Sequence, residues 1–224
     1  MDKEKFVPEI FSQLRGRSVI VPEAIYRASG IKILGTRIKS LLFSTDVAII
    51  KNTNANSIIA VYPFTPQLSI THAILEVASV PVFVGVGGGL TTGQRSIQIA
   101  IQAELLGAYG VVVNAPMQND VIREMKKILD IPIIATVASL NDDYRGKIDS
   151  GVSILNVSGG SNTVEMVRVI RGVLGREFPI IATGGPTEES ILDTIDAGAN
   201  AITYTPPSTG EIFAGVMKKY RNEL

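Results

Sequence analysis

Eight short apolar runs recur along the chain, each followed by a segment with helical spacing, and this alternation constrains the fold more than any other feature. The runs are Ser18–Pro22, Ser57–Tyr62, Pro81–Val86, Gly110–Asn114, Pro132–Val137, Val152–Val157, Pro179–Thr183 and Ala201–Tyr204. Most are too continuously apolar for a strand with one wet face. They read as strands buried on both sides, as in a parallel sheet. Between them apolar residues return every three or four positions, as at Ile97, Ala100, Ile101 and Leu105, or Val164, Val167, Ile170 and Leu174. Asn162 followed three residues later by Glu165 has the pattern of a helix N-cap.

Eight strand–helix units in 224 residues predict one closed (β/α)8 TIM barrel spanning residues 1–224. An open doubly wound sheet is the alternative, because alternation alone does not separate the two. A helix near residues 3–14 is expected to cover the barrel bottom. Residues 23–37 are expected to form a long top loop carrying Arg27, Lys32 and Arg37, with a helix over residues 38–51 ending at Lys51.

Composition removes several chemistries. Lys and Arg total 21, as do Asp and Glu, so no basic surplus signals nucleic acid or an anionic membrane. The absence of cysteine excludes disulfides, thiolate nucleophiles and iron–sulfur ligation. The single histidine, His72, excludes two-histidine metal sites, and no metal is expected. No apolar run approaches the roughly 18 residues of a membrane-spanning helix. A cytoplasmic protein fits these features.

In such a barrel the active site lies at the strand C-termini. Glu23 directly follows the first run and is the expected general base. Tyr62, Asn114, Asn156 and Tyr204 end strands and are expected to bind substrate. No strand end carries a lysine, which argues against Schiff-base chemistry. The three glycines Gly87, Gly88 and Gly89 suggest either a flat ligand approaching the backbone or a mobile loop. Asp142 and Asp143 read as helix caps. His72 reads as packing or capping, with a role at the mouth as the sharper reading.

Gly159-Gly160 and Gly184-Gly185 each precede a helix start, where free backbone N–H groups and the helix dipole favour an anion. With Ser158 and Ser161 they form the expected phosphate site. Tight turns without a ligand explain such glycine pairs too. Glu188 and Glu189 would oppose a phosphate, and Pro206-Pro207 supply no donors to the last loop.

The segment from about Val152 onward resembles the ribulose-phosphate-binding group of (β/α)8 barrels, with Ile180-Ile181-Ala182-Thr183-Gly184-Gly185 similar to a late strand of its aldolases and epimerases. The whole chain also resembles a group of small bacterial barrels labelled hydrolase, through Val61-Tyr62-Pro63-Phe64 and Ala182-Thr183-Gly184-Gly185-Pro186-Thr187-Glu188-Glu189-Ser190. The resemblance implies a small-molecule enzyme, isomerase, lyase or hydrolase, acting on a phosphorylated or anionic metabolite without a cofactor. A non-catalytic sensor like the glycerol-phosphate antiterminator barrels is one alternative, and an FMN-binding barrel is another. A homo-oligomer stays open.

Overall fold

The computed structural model describes residues 6–222 except 11, 13–15 and 17. Among the described residues ten strands and eight α-helices follow one another. A hairpin of β1 (Ile31–Ile33) and β2 (Thr36–Ile38) leads into β3 (Ser40–Phe43), α1 (Val47–Lys51), β4 (Ser57–Ala60) and α2 (Leu68–Val77). Then come β5 (Val82–Gly87), α3 (Gln94–Leu105), β6 (Gly110–Val113), α4 (Asn119–Ile128), β7 (Ile133–Val137) and α5 (Tyr144–Asp149). The chain continues through β8 (Ile154–Val157), α6 (Thr163–Leu174), β9 (Ile180–Thr183), α7 (Glu188–Asp196), β10 (Ala201–Tyr204) and α8 (Thr209–Asn222). Strands β3 to β10 close into a parallel barrel in which β10 pairs with β3. The expected TIM barrel is present. Among the described residues no helix is long and apolar enough to cross a membrane.

Two apolar layers hold it together. The interior is filled by Leu41, Ile59, Phe83, Val112, Ile134, Ile154, Ile181 and Ala201, one from each strand. A second layer lies between the sheet and the helices, with Leu42, Ile58, Val84, Val111, Ile133, Leu155, Ala182 and Ile202 as its strand residues. Every barrel strand is therefore apolar on both faces, which is why the runs in sequence are continuous.

The first strand differs from expectation. Ser18–Pro22 is not in the barrel: within it Val19 makes a single bridge to Thr53. The barrel strand is Ser40–Phe43, inside the stretch expected to be helical. A short apolar run reads equally well as either state. The local arbiter is Asp46, whose Oδ1 accepts hydrogen bonds from Ala48 N (2.8 Å) and Ile49 N (3.2 Å) and so starts α1 at Val47.

Residues 23–37 consequently lie below the barrel and beside it instead of over its mouth. Ile31, Ile33 and Ile38 of the hairpin join the interior cluster and plug the bottom. The Thr36 hydroxyl lies 3.2 Å from the Tyr109 hydroxyl just before β6. Bottom coverage thus comes from this hairpin. The helix expected over residues 3–14 falls partly outside the described residues, and residues 6–10 carry no helix. The buried part of the preceding segment, Val19 to Arg27, runs up between α7 and the α1–β4 connection. Its 3-10 turn, Glu23–Arg27, packs on α7 and buries Ile25 completely.

Candidate active site

Side chains on a strand alternate between faces. Two residues beyond each interior residue the chain points inward again, one layer nearer the C-terminal mouth. Those positions are Phe43, Val61, Gly85, Asn114, Thr136, Asn156, Thr183 and Thr203. The mouth layer is apolar above β3 to β5 and carries only amides and hydroxyls above β6 to β10.

The polar half is built by strand register. Thr136 and Asn156 are Cα partners across β7 and β8, and Asn156 Nδ2 donates to Thr136 Oγ1 at 3.4 Å. Thr183 and Thr203 are partners across β9 and β10, and Thr183 Oγ1 donates to Ser158 Oγ at 3.2 Å. Asn156 is 8% exposed and Thr203 7%. Asn156 Oδ1 and Thr203 Oγ1 are nevertheless buried without any hydrogen-bond partner. Such a group is destabilising by about 1–3 kcal/mol, and native proteins leave few of them. Both atoms stand in one layer at the mouth of the barrel.

Two recesses flank this layer. One, of about 50 Å³, is lined by Tyr62, Phe64, Gly85, Gly87, Gly89, Leu90 and Asn114 among others. The other, of about 590 Å³, opens above β9 and β10 and is lined by Thr183, Gly185, Pro186, Thr203 to Pro207 and Glu211.

Of the five expected mouth residues, Asn114 and Asn156 share the mouth layer, Tyr62 and Tyr204 line the recesses beside it, and Glu23 stands apart. Asn114 and Tyr62 line the small recess, and the Tyr62 hydroxyl accepts from Gln67 N at 2.8 Å, which holds the β4–α2 loop. Tyr204 lines the large recess from the helix-facing side of β10. Glu23 is displaced: because Ser18–Pro22 is not a barrel strand, Glu23 follows no strand end. It opens the 3-10 turn against α7, in a groove shared with Arg27, Glu188 and Leu192.

The expected phosphate cradle is partly committed elsewhere. Gly159 N donates to Thr163 Oγ1 (3.0 Å) and Gly184 N to Thr203 O (3.3 Å). Both glycines also have a packing reason. A Cβ on Gly159 would stand 2.2 Å from Met166 Sδ, and one on Gly184 would stand 2.6 Å from Ile202 Cγ2 and 2.8 Å from Ile191 Cγ1. Gly160 and Gly185 have positive φ. The start of α7 is satisfied by its own capping box between Thr187 and Ser190. Asn162 precedes α6 without a side-chain cap bond, and Thr163 does the local bonding instead.

The glycine run is likewise explained from inside the chain. Gly87 and Gly88 have φ of 128° and 109°, and Cβ atoms there would meet Thr91 O at 2.4 Å and the Asn114 backbone at 2.8 Å. These positions let the β5–α3 loop press against the end of β6.

Charged groups stand around the mouth layer but not in it. Glu211 forms a reciprocal capping box with Ser208 at the start of α8: Ser208 N and Oγ both donate to Glu211 Oε2 (2.7 Å), and Glu211 N donates to Ser208 Oγ (3.2 Å). The Ser208 hydroxyl bond, with the backbone bond, lowers the Glu211 carboxyl below its usual range, so this wall of the large recess is anionic. Lys147 is buried and donates to Met117 O at 2.7 Å, tying α5 to the β6–α4 loop. Burial pushes its pKa down, against the pull of Asp142 and Asp143. Asp142 Oδ2 accepts from Ala138 N and Ser139 N, and Asp143 caps α5. Lys51 Nζ donates to Val77 O at the end of α2, and His72 is exposed on that helix. Among the described residues no group of three His, Asp or Glu side chains is placed to hold a metal.

Sequence reasoning missed Thr136, Thr183 and Thr203. The signal is period two: each stands two residues after an interior Ile or Ala. It also missed the Ser44-Thr45-Asp46 loop after β3, because that strand was read as helix.

No family model matches the chain, and no curated protein does. Solved structures do. A phosphonopyruvate hydrolase in complex with oxalate and Mg++ superposes with a TM-score of 0.61 at 13% identity, covering 82% of this chain and 80% of that one. A phosphoenolpyruvate phosphomutase from Streptomyces platensis subsp. rosaceus gives 0.59 at 10% identity, covering 81% and 80%. A thiamine phosphate pyrophosphorylase from Pyrococcus furiosus gives 0.56 at 16% identity, covering 74% and 84%. These structural neighbours are TIM-barrel enzymes, and at such identities the likeness establishes the shared barrel.

Proposed function

We propose that this chain is an enzyme acting on a small, hydroxyl-bearing polar metabolite bound in the mouth layer. One observation carries the reading: Asn156 Oδ1 and Thr203 Oγ1 lie buried and unmatched at the C-terminal end of the barrel. Active sites of this architecture sit there, and the enzymatic character of its structural neighbours supports catalysis. The reaction belongs to the isomerase, lyase or hydrolase classes. Asn156 accepts from a ligand hydroxyl or amine, and Thr203 offers a hydroxyl that donates or accepts. Neither titrates near neutrality, so both bind and orient.

A phosphoryl group on that metabolite would be met by the N–H groups of Gly160 and Gly185 and the hydroxyls of Ser158 and Ser161. It would find no neighbouring cation among those residues, and Glu211 opposes it. The hydroxylated part of the ligand therefore contributes the larger share of binding.

The test is calorimetric titration of the protein with a panel of sugar phosphates, their parent sugars and inorganic phosphate. Binding of a sugar or sugar phosphate that weakens about tenfold or more in Thr203→Val and Asn156→Leu supports the reading. Binding that ignores both substitutions, or none across the panel, counts against it.

A further inference from the structure

The loops after β4 and β5 hold two bulky apolar side chains in the open. Phe64 is 72% and Leu90 88% exposed. Scattered exposed apolar residues are ordinary on a protein surface, but these two line one recess together with Val61, Gly85 and Asn114. Those three belong to the mouth layer. The recess is therefore continuous with the site and adjoins its apolar half, above β3 to β5.

Hydrogen bonds hold the two loops in place. Thr65 follows Phe64 and Thr91 follows Leu90, and Thr91 Oγ1 donates to Thr65 Oγ1 at 3.0 Å. Gln67 N donates to the Tyr62 hydroxyl at 2.8 Å, which closes the β4–α2 loop on itself. Gly88 N donates to Thr91 O at 2.8 Å and Asn114 N to Gly87 O at 2.9 Å, so the β5–α3 loop is closed on itself and fastened to the end of β6. The exposed pair is thus carried on a cross-tied frame. A ligand that meets a fixed surface loses less affinity to ordering of the protein.

We propose that Phe64 and Leu90 form an apolar subsite and that the ligand is two-ended, with hydroxyl or amine groups at Asn156 and Thr203 and a short alkyl chain or single ring against Phe64 and Leu90. The inference rests on the reading of the mouth as a ligand site and narrows the ligand class. The mouth layer is itself divided in this way. Phe43, Val61 and Gly85 offer no polar side-chain atom, whereas the positions above β6 to β10 carry amides and hydroxyls. A ligand hydroxylated throughout would find no side-chain partners on the β3 to β5 side. An apolar end fits there and removes Phe64 and Leu90 from water. The recess of about 50 Å³ limits the size of that end to the tip of a chain or the edge of a ring.

The test is calorimetric titration of the full chain with matched pairs: glucose, ribose and glycerol, each beside its butyl and its phenyl derivative. The substituted member is expected to bind at least about tenfold tighter than its parent, or about 1.4 kcal/mol, the burial of roughly two methylenes. Phe64→Ser and Leu90→Ser should each reduce that ratio to about threefold or less, and as both side chains are exposed the variants keep the wild-type fold by circular dichroism. Thr203→Val should weaken both members of a pair and preserve the ratio. Equal affinities within every pair, or a preference that survives both serine variants, would overturn the apolar subsite; weakening of the parent compounds by Thr203→Val would then leave the polar site standing. A preference lost in the serine variants but indifferent to Thr203→Val would refute the two-ended ligand. Binding of no member of any pair would remove the reading of the mouth, and this inference with it.

Discussion

Replacing Thr203 by Val is expected to stabilise the empty protein while weakening its ligand. The side chain is 7% exposed and its Oγ1 has no partner. Valine has nearly the same shape, keeps the β-branch that suits β10, and removes the unmatched hydroxyl. The penalty for such a group is about 1–3 kcal/mol, and partial relaxation leaves a gain of about 1 kcal/mol. In a chain of this size that raises the melting temperature by roughly 2–4 °C. Thr163→Val is the paired control. That hydroxyl accepts from Gly159 N at 3.0 Å and donates to Gly160 O at 2.8 Å, so its loss should destabilise by about 1–2 kcal/mol. Thermal denaturation of the three proteins without ligand decides the matter. Should Thr203→Val melt as far below wild type as Thr163→Val does, Thr203 Oγ1 is hydrogen-bonded in solution and the argument for a ligand at the mouth loses its carrier.

Gly88→Ala should destabilise strongly, by more than about 2 kcal/mol, because φ is 109° and the new Cβ would stand 2.8 Å from the Asn114 backbone; a urea midpoint equal to wild type would show that the β5–α3 loop moves freely. Asp46→Ala should lose about 0.5–2 kcal/mol through the α1 cap. The Thr209 bond holds the Asp46 carboxyl below its ordinary 3.8, so this contribution is present above that value and fades as pH falls through the folded-state value; a wild-type-minus-variant difference in urea midpoint that stays constant down to acid pH would contradict it. Burial lowers the Lys147 pKa, so the unfolded chain binds that proton more tightly and stability rises as pH climbs from the lowered value towards 10.5. Lys147→Met should flatten that rise in urea titrations, and parallel pH curves for the two proteins would refute it.

The barrel was legible in the sequence because its physical cause is local. A parallel strand covered on both faces must be apolar at consecutive positions, and seven of the eight expected runs overlap barrel strands. The eighth failed for an equally physical reason. Val19 and Val21 are buried against the outside of the barrel, so they carry the same apolar signature as a strand without pairing as one. Leu41, Leu42 and Phe43 lie close enough to α1 in sequence to be absorbed into a helical pattern.

Residue chemistry at the mouth was partly readable. Asn114 and Asn156 stand at strand ends, and the shortage of titratable groups there was visible from composition and spacing. Glu23 was not placeable from sequence, since its position depends entirely on which run enters the barrel. The glycine pairs look alike in sequence, yet Gly184 and Gly159 are tied by their neighbours Ile202 and Met166, while Gly160 and Gly185 are set by backbone angle. The pairing of Thr183 with Thr203 and the hairpin plug were decided only by tertiary structure. Each depends on contacts between segments far apart in the chain, and no local pattern of hydropathy or spacing encodes which distant surface a side chain will meet.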